Sequence, residues 1–149
     1  MGSTQSAQYD LAGQVIGMAM KVHRKLGSGF VESVYHNALK VELTNAGMPF
    51  ESEKKVNVFY EGVNVGEFSA DLMVNNELII ELKAVNQLAP IHEVQTVNYL
   101  SATGKDVGLL LNFGAESLEF KKKFRAYKNP TINQLTSLIL LILSKPFLS

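Results

Sequence analysis

Apolar and polar residues change rhythm several times along this chain, and each change marks an element. Leu11, Val15, Met18, Val22 and Leu26 recur at spacings of three and four. That stripe predicts a helix from about Tyr9 to Leu26, stopped by Gly27-Ser28-Gly29. A second helix is expected from about Val31 to Asn45, with Val34, Ala38, Leu39 and Leu43 apolar and Ala46-Gly47-Met48-Pro49 closing it. The rhythm then shortens. Runs at about Lys54–Tyr60, Val65–Val74 and Glu77–Val85 read as strands, joined by turns at Glu61-Gly62-Val63-Asn64 and Asn75-Asn76. Pro90 opens a third helix to about Ala102, and Gly104 ends it. Asp106 to Phe113 reads as a buried strand, and Leu118 to Phe124 as an edge strand. The order is helix, helix, three strands, helix, strand, strand. It predicts an α/β fold with a mixed sheet flanked by helices.

The third strand carries the candidate chemistry. In Leu78-Ile79-Ile80-Glu81-Leu82-Lys83-Ala84-Val85, strand alternation puts Glu81 and Lys83 on one face. Burying charge is costly, so such a face needs a partner, a metal or a wet cleft. An ordinary ion pair on a solvated sheet face is the plain alternative. Asp71, on the preceding strand, lies ten residues upstream of Glu81. Carboxylates on adjacent strands suit a hard divalent cation. Such a cation activates water, clamps phosphate oxygens and relieves charge on a leaving oxygen. Asp71 and Glu81 would be direct ligands, with the Leu82 carbonyl as a third. Lys83 would orient water or offset charge growing in the transition state.

Two helices offer further groups. Glu32, Tyr35 and Leu39 share one face of the second helix. A carboxylate at Glu32 is also favoured simply by the helix N-terminus. His92, Gln95, Thr96 and Tyr99 form a polar stripe on the third helix, which a solvated face would equally explain. Gln95 is expected over the sheet face beside Lys83. His92 is a ligand, an acid-base group or a cap; His23 and His36 read as surface residues.

Composition narrows the setting. The chain has 149 residues, 46% apolar and 19% charged, which fits one folded domain. It has no cysteine, so thiolate metal sites and disulfides are excluded, and Mg²⁺ or Mn²⁺ is favoured over Zn²⁺. The same absence fits a cytoplasmic location. The formal net charge is zero, so any nucleic-acid contact must use a local basic patch. Candidates are Lys121-Lys122-Lys123 with Arg125, or Lys21, Arg24 and Lys25. The small, polar residues Met1 to Ser6 give no expectation of a secretory leader. The apolar run Leu135 to Leu143 is shorter than a membrane span, so stable insertion is not expected. It is expected to pack on the domain or on a second copy as a homodimer contact, with a disordered tail or weak membrane contact as alternatives.

The motifs resemble a known family. Gly29-Phe30-Val31-Glu32-Ser33-Val34-Tyr35 matches the pattern that names the GxxExxY protein family. Matches continue through Gly66-Glu67-Phe68 to Asp71, Glu81-Leu82-Lys83-Ala84-Val85, His92-Glu93-Val94-Gln95, Asn98-Tyr99-Leu100 and Gly108 to Gly114, covering about Tyr9 to Arg125. That family is placed in the PD-(D/E)XK nuclease-like superfamily. The resemblance implies a restriction-endonuclease-like core of helix, three strands, helix and strand (αβββαβ), here with an extra N-terminal helix. It divides the chain into a domain over 1–128 and an apolar tail over 129–149. By position it implies Asp71, Glu81 and Lys83 as the catalytic triplet, with Glu32 and Gln95 as accessory catalytic groups. The metal set is Asp71, Glu81, Leu82 and Glu32, and Tyr35, His92 and Tyr99 are possible accessories. Ala70 stands where the superfamily's name has proline. The function implied is Mg²⁺-dependent hydrolysis of DNA or RNA phosphodiesters. The alternative is a nuclease-fold module that binds nucleic acid or a protein without cutting.

Overall fold

A computed structural model of the chain describes residues 4–125 and six helical residues of the tail, at 135, 136, 139, 140, 142 and 143, with side chains from Leu11 onward. The elements are α1 (Thr4–Leu26), α2 (Glu32–Asn45), β1 (Phe50–Tyr60), β2 (Val63–Val74), β3 (Leu78–Lys83), α3 (Pro90–Thr103), β4 (Val107–Asn112) and β5 (Glu119–Phe124). The sheet runs in chain order from β1 to β5; β3 and β4 are parallel and the other neighbours antiparallel. This is the mixed, helix-flanked α/β arrangement read from the sequence. Among the described residues, no helix is long and apolar enough to cross a membrane.

Both hairpin turns are built from residues with positive φ: Glu61 and Gly62 at 51° and 76°, Asn75 and Asn76 at 53° and 55°. Two successive left-handed residues give the turn type whose twist suits flanking strands. The parallel step from β3 to β4 needs a crossover, and α3 supplies it. Helices cover both faces. α1 and α2 bury Leu11, Val15, Leu39 and Leu43 against Leu72, Ile80, Leu82 and Leu111. On the other face Leu100 of α3 packs with Met73, Ile79 and Ala70. Gly108 on β4 lets α3 approach: a Cβ there would sit 3.2 Å from the Thr96 methyl and 3.3 Å from Leu100. Thr96, expected on a polar stripe, is fully buried and donates to the His92 carbonyl at 3.0 Å.

Two differences from the sequence reading shape the molecule. β1 begins at Phe50 rather than Lys54, and β3 ends at Lys83 rather than Val85. The long β1–β2 hairpin also outgrows the core. Every residue from 57 to 67 is exposed, including Phe59 at 64% and Tyr60 at 68%. The tail reading lies largely outside the described residues. Those that are described are helical and exposed, from 45% at Leu135 to 75% at Leu143.

The α1–α2 loop explains the spacing of Gly29, Glu32 and Tyr35. Gly27 and Gly29 take φ of 70° and 111°, which a side chain would strain. Tyr35 is fully buried and reaches back into the loop. Its hydroxyl donates to the Gly27 carbonyl at 2.6 Å and accepts from the Phe30 N–H at 3.2 Å. Its ring stacks on Phe113 at 4.8 Å. The loop is thereby fixed, and α2 starts at Glu32. Tyr35→Phe removes both hydrogen bonds, so it should cost about 1–3 kcal/mol in urea unfolding.

Candidate active site

Asp71 sits where the sheet is broken on both sides. The β1–β2 pairing runs from Phe50↔Val74 to Ser52↔Leu72 and resumes at Lys54↔Ala70, skipping Glu53 and Asp71. Glu53, across from it, has a left-handed φ of 53°. The face pattern slips at the same place. Leu72 and Val74 belong to the core under α1 and α2, whereas Ala70 belongs with Met73 to the core under α3. An irregularity of this kind re-aims side chains beside it. Alternation along β2 therefore fails at the candidate residue.

On the other side, β2 and β3 pair only through Leu72↔Ile80, Met73↔Ile79 and Val74↔Leu78. Beyond that point carboxylates replace the ladder. Asp71 Oδ2 accepts from the Leu82 N–H at 2.7 Å, and Glu81 Oε1 accepts from the Asp71 N–H at 3.3 Å. Glu81 is 6% exposed. Burial, and then the Asp71 carboxylate beside it, push its pKa up to about 9; the Asp71 N–H and Lys83 act in the opposite direction. At neutral pH the Glu81 carboxyl therefore holds a proton.

Glu32, on the first turn of α2, is electrostatically part of the same group. Its pKa is raised by partial burial and then by Asp71, while Lys83 and His36 lower it. Across the site, the Tyr99 hydroxyl is raised by burial and then by Glu81 and Asp71. Tyr99 stacks on Phe68 at 4.1 Å. The fold thus collects Asp71, Glu81, Lys83, Glu32 and Tyr99 in one neighbourhood from four elements. Gln95 is half-buried on α3, one turn before Tyr99.

Two proposed accessories have other duties. His92 caps α3: its Nδ1 accepts from the Ala89 N–H at 3.0 Å, and its own backbone N–H donates to the Ala89 carbonyl at 3.0 Å. The Tyr35 hydroxyl is committed to the α1–α2 loop. His23, read as a surface residue, bonds the Ala115 carbonyl at 2.9 Å.

Asn112 was not singled out from the sequence, yet it holds the end of β3. It is fully buried on the parallel neighbour strand. Its Oδ1 accepts from the Val85 N–H at 2.9 Å and the Gly114 N–H at 3.1 Å. Its amide nitrogen donates to the Val85 carbonyl and to Glu119, each at 2.9 Å. The Phe113 N–H adds a bond to the Lys83 carbonyl at 2.9 Å. A Cβ on Gly114 would overlap the backbone of Ala84 and Val85, so only glycine fits. The segment carrying Lys83 is thus locked on its far side. The sequence signal was a polar residue closing the apolar run Val107 to Leu111.

The donor set is oxygen-rich: two carboxylates, the Leu82 carbonyl and the nearby Glu32. Such a set of oxygens would suit a hard divalent cation. Among the described residues, no three His, Asp or Glu side chains lie close enough to hold one ion between them. Two carboxylates and backbone or water oxygens would have to share the task.

The mixed five-stranded sheet with its flanking helices, and the broken β2–β3 edge, define a restriction-endonuclease-like fold. The family model described as the PD-(D/E)XK nuclease superfamily matches residues 9–125, and the chain belongs to that superfamily. The solved structure of SSO0001 is similar, with a TM-score of 0.50 and 17% identity, covering 77% of this chain and 60% of that one. The chain therefore spans under two thirds of that protein. An alkaline exonuclease from Laribacter hongkongensis is similar at a TM-score of 0.48 and 14% identity, covering 97% of this chain and 77% of that one. No curated protein matches.

Two outcomes test the site's physics. Asn112→Ala leaves both Val85 backbone groups without partners and should destabilise the fold by about 2–4 kcal/mol in denaturant unfolding. The second concerns pH. Glu81 has a folded-state pKa above its unfolded value, so the folded state binds the extra proton between about pH 4.5 and 9. Stability of the metal-free protein should fall as pH rises through that window. Glu81→Gln should flatten the fall in thermal melts made in EDTA.

Proposed function

We propose that the protein is a nuclease that hydrolyses phosphodiester bonds of DNA or RNA with Mg²⁺ or Mn²⁺. Within the superfamily we place it in the GxxExxY family, on Gly29, Glu32 and Tyr35. The observation that carries the functional reading is the buried Glu81 carboxyl pressed against Asp71 at the break between β2 and β3. A cation held by Asp71, Glu81 and the Leu82 carbonyl, with Glu32 nearby, would supply Lewis acidity toward water and phosphate. The chain's own groups do the rest. Lys83 follows Glu81 on the same strand and places an ammonium beside the carboxylates. There it orients the attacking water and offsets charge that grows on the phosphate. Water adds to phosphorus, the bond to the leaving oxygen breaks, and that oxygen takes up a proton. Gln95 is assigned to water or phosphate, and Tyr99 to the wall of the site.

Cleavage assays with single- and double-stranded DNA and RNA test this reading. Cleavage should require Mg²⁺ or Mn²⁺, and Asp71→Asn or Lys83→Ala should each lower the rate by about 100-fold or more. Cleavage that persists in EDTA overturns it. Absence of cleavage on all four substrates, with the cation bound in calorimetry, would instead assign a binding module that keeps the nuclease fold.

A further inference from the structure

Between β1 and the C-terminal half of α3 lies a cleft of about 360 Å³. Its walls carry Lys54, Lys55, Lys105, Asn57, Asn76 and the ring of Phe59. Val56 and Met73 also line it. Three lysines and two carboxamides are an anion-binding inventory, and the apolar lining with one aromatic ring suits a flat, partly apolar group.

Its position ties it to the candidate active site. Lys54 pairs with Ala70, the residue before Asp71, and Met73 lies two residues beyond Asp71 on the same strand. Val56 pairs with Phe68, whose ring stacks on Tyr99. Ala102 and Thr103 of the lining lie one turn of α3 past Tyr99, about 5 Å along the helix. The stacked Phe68 and Tyr99 therefore neighbour lining residues on both β1 and α3.

The lysines keep ordinary surface partners. Lys54 pairs with Glu51 at 2.8 Å, Lys55 with Glu67 at 3.6 Å, and Lys105 donates to Asn76 at 3.4 Å. Exposed pairs contribute little to stability and exchange readily for a phosphate. Two other lysines are differently placed: Lys21 is paired with Glu42 on the helical face, and Lys123 of β5 with Glu93 of α3. Phe59 is 64% exposed on the projecting hairpin, with Tyr60 next to it.

We infer that this cleft binds a single-stranded segment of polynucleotide next to the bond to be cut. The lysines hold backbone phosphate, and Phe59 stacks on a base. A basic groove with exposed aromatic rings is the means by which proteins hold single strands of any sequence, since every base has a π-face. A recess of this size with one exposed ring admits an unstacked base, which a paired duplex does not offer. The inference rests on the nuclease reading for its orientation, and it is tested apart from catalysis.

The test is fluorescence anisotropy on the full chain in EDTA, with one short labelled sequence as single-stranded DNA, single-stranded RNA and duplex DNA. Single strands should bind more tightly than the duplex. The double substitution Lys55→Glu, Lys105→Glu should weaken binding about 10-fold or more. The log-log salt slope should become shallower by roughly 1.4, because two phosphates are no longer neutralised. Phe59→Ala, at an exposed position, should weaken binding about 5-fold or more without reducing the salt slope. Lys55→Gln serves if the double variant does not fold, with circular dichroism as the control. Equal or tighter binding of the duplex overturns the inference, as does wild-type affinity in the cleft variants. Cleavage assays with the active site unsubstituted separate the two readings. Cleft-dependent binding with no metal-dependent cleavage refutes catalysis and leaves the cleft; cleavage indifferent to the cleft substitutions refutes the cleft alone.

Discussion

The structure turns on an exchange of hydrogen-bond partners between β2 and β3. At Asp71 and Glu81 the ladder stops, and two side-chain carboxylates take the N–H groups that backbone carbonyls would otherwise serve. Buried N–H groups must be paired, so the carboxylates are held inward by the sheet's own requirements. Their mutual repulsion and burial are the cost, met by the proton on Glu81 and by Lys83. The splay also opens the sheet beside α2 and α3, so that Glu32 and Tyr99 share the same electrostatic environment.

Much of the remaining architecture keeps that splay from spreading. β3 is released on one side at Asp71 and gripped on the other by Asn112, Phe113 and Gly114. Behind the sheet, Tyr35 anchors the glycine loop and stacks on the same Phe113. Two tyrosine stacks, Tyr35 on Phe113 and Tyr99 on Phe68, thus brace the region from opposite faces. Gly108 lets α3 sit close enough for Tyr99 to reach the site.

Periodicity in the sequence made most elements legible, because apolar spacing reports directly on which faces are buried. The turns at Glu61-Gly62 and Asn75-Asn76 were legible for the same local reason, since glycine and asparagine tolerate left-handed backbone. Asp71, Glu81 and Lys83 stood out as charges in apolar strands. The slip at Asp71 was not legible, because alternation is a rule for unbroken strands and the break involves Glu53 on another strand. Asn112 was missed because its partner, Val85, is 27 positions away and meets it only through the parallel crossover. His92 was read as a ligand, an acid-base group or a cap, and its bond from the Ala89 N–H is that of a cap. The cleft could not be read at all, since its lining comes from β1, β2 and α3.

The raised pKa of Glu81 bears on how a cation would be taken up. A neutral carboxyl there relieves the repulsion from Asp71 across the β2–β3 break. Under the proposed metal chemistry, a cation binding these oxygens would release that proton. Loading would then be an ion exchange, favoured as pH rises.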